Sequence, residues 1–245
     1  MVAWRIFTHS LQMIFNNFAQ VMRIILVPLG IGIAVLILFA ALGVSIDSAP
    51  GDVVTAGQIG GMILLALVLI GLALWVVVAW HRFILLAEYS QGWVPMLRSD
   101  RMLSYIGHSL WLGLVMTGLT VPLFLVIGGL GGMVPLIVTS VSIVVIVALN
   151  IVFFRLSVIL PAAAIGQPLR LGAAWDATRG SSGTILILVL ILGAAQFALQ
   201  LVLGLLLLAP VIGIVLMAVG TALSALINVS ILTTLYGYYI EKRAL

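Results

Sequence analysis

Cysteine is absent, lysine occurs once, and charged residues make up only 7% of the chain. The missing cysteine removes any disulfide framework, thiolate nucleophile or thiolate metal site. Three scattered histidines, His9, His81 and His108, come with no paired carboxylates and do not supply the usual metal ligand sets. No metal, no cofactor and no nucleic-acid partner is expected. The scarcity of charge also excludes a water-soluble surface, because a soluble domain carries roughly 25% charged residues.

What fills the chain instead is apolar. Alanine, the aliphatic residues, methionine and the aromatics account for 64% of 245 residues, and the mean hydropathy is +1.41. A spanning helix needs about 20 consecutive apolar residues, since lipid offers no partner to an unsatisfied backbone group. Six such stretches occur, at 24–44, 59–80, 105–127, 133–154, 184–208 and 211–236. They predict an all-α polytopic membrane bundle, with 1–245 forming a single integral membrane domain. The first stretch starts too late and runs too long for the apolar region of a cleaved signal, so a retained anchor is expected.

Orientation follows from where the charges fall. Cytoplasmic loops beside spans retain Lys and Arg, whereas short translocated loops lack them. Six spans divide the polar segments into two sets. The first, at 1–23, 81–104, 155–183 and 237–245, holds all ten basic residues and four acids. The second, at 45–58, 128–132 and 209–210, holds no basic residue and two acids, Asp47 and Asp52. Both termini are therefore expected in the cytoplasm. Arginine outnumbers lysine nine to one, a usage that accompanies GC-rich bacterial genomes, so a bacterial inner membrane is the expected location.

The chain divides into three helical hairpins, each expected to follow a cytoplasmic interfacial helix. In the first such segment Trp4, Phe7, Leu11, Ile14 and Phe18 recur at steps of three and four, opposite Arg5, His9, Asn16 and Asn17. The second sets Trp93, Met96 and Leu97 beside Arg98, Asp100 and Arg101. The third sets Leu171, Ala174, Trp175 and Thr178 beside Arg170, Asp176 and Arg179. An aromatic-x-Arg-apolar signature closes the second and fourth spans, at Trp80-His81-Arg82-Phe83 and at Phe153-Phe154-Arg155-Leu156.

The run Arg155-Leu156-Ser157-Val158-Ile159-Leu160-Pro161, followed by Ala173-Ala174-Trp175-Asp176-Ala177-Thr178-Arg179-Gly180, resembles two bacterial six-helix membrane families. These are the YciC-like proteins and the membrane domain attached to some glycerophosphodiester phosphodiesterases. The resemblance implies a role in envelope or membrane homeostasis and carries over no catalytic residue.

Gly180-Ser181-Ser182-Gly183 matches the G-x-S-G around the serine of rhomboid intramembrane proteases, but the base is missing. Residues 211–236 contain no histidine, and a serine nucleophile needs a base within hydrogen-bond reach. The tetrad reads as a cap for the fifth span. No ionisable residue sits in any span away from its ends, where an ion path would place one. The neutral polar residues there are Gln196 and Gln200 in the fifth span and Asn228 in the sixth, expected to bond between helices. Arg82, Arg155 and Arg179, with Trp175, are the candidate contacts for anionic phospholipid headgroups or for a partner subunit's acidic segment. A non-enzymatic accessory, assembly or membrane-homeostasis protein is the first expectation. A passive solute or lipid carrier using the glutamine pair is the alternative.

Overall fold

The computed structural model describes residues 1–44, 55–90, 92–129, 135–206 and 210–245. Residues 45–54, 130–132 and 209 of the loops expected away from the basic residues, with Asp47 and Asp52, lie outside the described residues. So do 133–134, 207 and 208 at the ends of two expected spans.

Among the described residues the chain is all-α. The helices are α1 (Val2–Asn16), α2 (Phe18–Ala41), α3 (Ala56–Leu86), α4 (Ser99–Gly129), α5 (Pro135–Leu156), α6 (Ile159–Ile165), α7 (Leu171–Ala177), α8 (Ser182–Leu206) and α9 (Pro210–Tyr239). Six helices among the described residues are long and apolar enough to cross a membrane, with α5 and α6 counted as one. Helices α3 and α4 each run 31 residues, about 46 Å at 1.5 Å per residue, well beyond a hydrocarbon core of about 30 Å. Their ends therefore project into the headgroup layer. Helix α3 starts with a capping box, in which Thr55 Oγ1 accepts from the Gln58 backbone at 3.2 Å and Gln58 Oε1 accepts from the Thr55 backbone at 2.8 Å.

The three hairpins are present: α2 packs on α3, α4 on α5, and α8 on α9. Of the three expected interfacial helices, α1 and α7 form and the second does not. Residues 92–98 are non-helical, and Ser99, Asp100 and Arg101 make the first turn of α4. Gly92 and Pro95 account for this, since proline bars helix from the residue before it and supplies no donor. Asp100 suits the positive end of α4.

Helix α1 buries one face in the bundle, while its apolar spacing is shared between that face and the outside, with Ile14 buried and Phe7 and Leu11 half-buried. The buried stripe is Ala3, Ile6, Ser10 and Ile14, while Trp4, and Phe18 at the start of α2, are exposed. The stripe packs against α8 and α9. Ser10 is tolerated inside because its hydroxyl lies 2.8 Å from Thr234 Oγ1 and reaches the Ile6 carbonyl at 2.8 Å.

The core lies where α6 enters the bundle. All seven α6 residues are buried, packed against α3, α4 and α9. A helix apolar all round has no face to give to water. Pro161 causes the break from α5, because its missing N–H leaves the Ser157 carbonyl to the Leu160 amide at 3.0 Å. Gly166, at φ 82°, ends α6 with its N–H shared between the Ala162 and Ala163 carbonyls.

Candidate functional site

Internal contacts gather the arginines at one end of the bundle. Arg243 Nη2 donates to the Leu85 carbonyl at 2.9 Å and Nη1 to that of Ile84 at 3.4 Å. These carbonyls belong to the last turn of α3, which has no intrahelical partner for them. Arg5 Nη2 donates to the Leu245 main-chain oxygen at 2.8 Å, so the first helix and the end of the tail meet on the same side. We call this the basic end.

Arg82, in the last turns of α3, is not a free cation. Its Nε donates to Glu88 Oε2 at 3.0 Å, Nη2 contacts the same oxygen, and Nη1 donates to the Ala164 carbonyl of α6 at 3.3 Å. Arg98 Nε donates to the other Glu88 oxygen at 3.3 Å. One carboxylate thus bridges the exit of α3 to the segment entering α4. The hydrogen bond from Arg82 holds the Glu88 carboxyl below the usual carboxylate range; burial opposes it, and the Arg82 charge and then the hydrogen bond and charge of Arg98 add to the lowering.

Arg155 makes a different set of contacts. It is 7% exposed at the end of α5. Its Nε donates to Thr178 Oγ1 at 3.2 Å and its Nη2 to the Trp175 carbonyl at 2.8 Å, and the guanidinium carbon lies 3.4 Å from the centre of the Trp175 ring. Helix α7 is thereby clamped to α5. Trp175 remains 40% exposed, and Arg179, one turn further on, is exposed. Of the four predicted contact residues, the structure brings Arg155, Trp175 and Arg179 to one turn. Arg82 belongs to the separate Glu88 network, and no hydrogen bond or ion pair among the described residues joins it to the other three.

The polar residues of the last hairpin divide in a similar way. Ser224 of α9 donates to Gln196 Oε1 at 2.8 Å, a bond between α8 and α9. Asn228 Nδ2 donates to the Ser224 carbonyl of its own helix at 2.9 Å. Gln200 is exposed, and its side chain makes no hydrogen bond among the described residues. In the Gly180-Ser181-Ser182-Gly183 tetrad, Ser181 is buried and donates to the Thr178 carbonyl at 2.6 Å, in the turn before α8.

A buried polar seam was not foreseen. His81 is fully buried, its Nδ1 lies 2.8 Å from Thr233 Oγ1, and its ring stacks on Tyr105 with centroids 5.9 Å apart. The Ser10–Thr234 pair continues the seam from α9 to α1. The available signal was Thr233-Thr234 in an otherwise apolar helix, facing a histidine in the aromatic-x-Arg signature. Two clefts open between helices elsewhere. One, of about 350 Å³ between α4 and α5, carries Ser109 and Asn150, and the other, of about 310 Å³ between α2, α3 and α9, is lined by apolar side chains.

Six helices among the described residues, each long and apolar enough to cross a membrane, define an integral, multi-pass membrane protein. No protein-family model, no curated protein and no solved structure matches the chain.

Proposed function

We propose that this is a non-enzymatic membrane protein working through its basic end, as an accessory or assembly subunit of a larger membrane complex or as a membrane-homeostasis protein. Its partners are anionic phospholipids and other membrane subunits. Its setting is a bacterial inner membrane, with both termini in the cytoplasm. The observation that carries this reading is the convergence of Arg5, Arg82, Arg155 and Arg243 on one end through contacts that fix them in place. Arg82 and Arg243 are already paired with Glu88 and Glu241, whereas Arg155 has no carboxylate partner among the described residues, and a fixed guanidinium in that state at headgroup depth suits phosphate and carboxylate. The likeness of residues 155–180 to YciC-like proteins is in keeping with a homeostatic role. The division of the glutamine pair, with Gln196 bonded to Ser224 and Gln200 exposed, speaks against a carrier built on it.

Purification from native membranes in mild detergent tests this. The expected result is co-purification of anionic lipid or of partner subunits in fixed proportion. Solute or lipid flux through liposomes holding the chain alone, with no such companion, would overturn the reading in favour of the carrier.

A further inference from the structure

We infer that Arg155, Trp175 and Arg179 form a binding site for the phosphate of one anionic phospholipid. The inference rests on the lipid-facing role given to the basic end and assigns it to one place. Arg155 carries a buried charge with no carboxylate within 4.0 Å among the described residues, unlike Arg82, Arg98, Arg101 and Arg243, which all have one. Its hydrogen bonds to Thr178 and Trp175 satisfy Nε and Nη2 but supply no counter-charge. A buried guanidinium left in that state is costly, and an anion relieves the cost.

The third nitrogen, Nη1, shows where the anion enters. It has no acceptor among the described residues. It is also not among the fully enclosed orphan nitrogens, which include Trp80 Nε1 and His81 Nε2, so it reaches the surface. The Trp175 ring, 40% exposed, lies against that guanidinium, and the exposed Arg179 is next in sequence to the threonine that holds Arg155. Asp176 is also exposed on this turn; it makes no ion pair with Arg155 within 4.0 Å, yet its charge acts on the guanidinium and offsets part of the cost of burial. Gly180 at φ 77° turns the chain into the 25-residue α8, whose positive end adds to the field on an anion here.

The ligand is a lipid phosphodiester because the site lies at the ends of two spanning helices, α5 and α8. An indole half out of the protein at that level is at home in the headgroup layer. Arg155 donates through Nη1, Arg179 adds a second guanidinium, and Trp175 covers the glycerol side.

The test uses the full-length chain in detergent, titrated with phosphatidylglycerol, phosphatidylcholine or inorganic phosphate, with lipid occupancy read by native mass spectrometry. The parent is expected to prefer phosphatidylglycerol over phosphatidylcholine. Arg155→Lys, which keeps the charge but loses the fork, and Arg179→Gln should each weaken phosphatidylglycerol about tenfold while leaving phosphatidylcholine unchanged. Arg155 also clamps α7, so if its variant fails to fold, Arg179→Gln and Trp175→Leu decide. A preference for phosphatidylglycerol undiminished in the folded variants overturns this site while leaving the lipid-binding role of the basic end intact. No preference in the parent overturns both. Competition by inorganic phosphate at equal concentration shows that the ligand is a soluble phosphate and overturns the lipid assignment.

Discussion

His81 Nδ1 lies 2.8 Å from Thr233 Oγ1 inside the bundle, and Thr233 donates in turn to the Val229 carbonyl at 2.9 Å. The pair joins α3 to α9 at a depth where neither group meets water. A lone buried polar atom costs about 1–3 kcal/mol, whereas removing both partners together is close to neutral.

Thr233→Val is therefore expected to destabilise the protein by about 1–3 kcal/mol. In a His81→Phe background the same substitution should cost much less. Thermal unfolding in detergent, followed by tryptophan fluorescence, measures this cycle. Equal costs in both backgrounds would mean that the two side chains are not coupled.

The Glu88 bridge gives the stability an acid limb. A carboxyl held below its ordinary value of 4.5 stabilises the fold above that pH and loses the contribution as pH falls through its lowered folded value. Glu88→Gln should lower stability by about 2 kcal/mol at neutral pH and flatten the decline below pH 4.5. An unchanged acid limb in the variant would show that other carboxylates set it. Arg98, being 42% exposed, should matter less than Arg82.

Gln196 and Gln200, one helical turn apart, should respond unequally. Gln196→Leu removes the bond to Ser224 and is expected to cost roughly 0.6–2 kcal/mol. Gln200→Leu places an apolar group on an exposed position and should leave the unfolding midpoint unchanged or raised. A larger loss at Gln200 would mean that this position meets another subunit in the assembled protein.

Topology is open to a direct test. A reporter active only outside the cytoplasm should be silent when fused after Leu245, and a cytoplasmic reporter should be active there. The opposite pattern would reverse the orientation. Because Arg5 reaches Leu245, fusions before α1 and after the tail should agree.

The spans were legible because nothing but a helix satisfies its own backbone in lipid. Runs such as Ile59 to Val78 carry that requirement openly. The packed side of α1 was not, since Ser10 looks polar until Thr234 is opposite it. Helix α6 was hidden by its position. Ile159 to Ile165 is apolar throughout, yet it is too short to span and lies in a segment otherwise polar. The Arg82, Arg155 and Arg179 trio shared a depth in sequence, but depth says nothing of azimuth around the bundle. Glu88, six residues from Arg82, decided that one of the three was already paired.

Helix α6 also bears on how the protein is made. Its apolar surface is finally enclosed by α3, α4 and α9, and α9 is the last of these to leave the ribosome. Until then the segment has no complete home, since it can neither cross the bilayer nor be stable in water. The nascent chain must hold α6 at the membrane surface while the closing helix is synthesised. A chain stopped before α9 therefore presents an unburied apolar segment that proteases of the membrane can recognise.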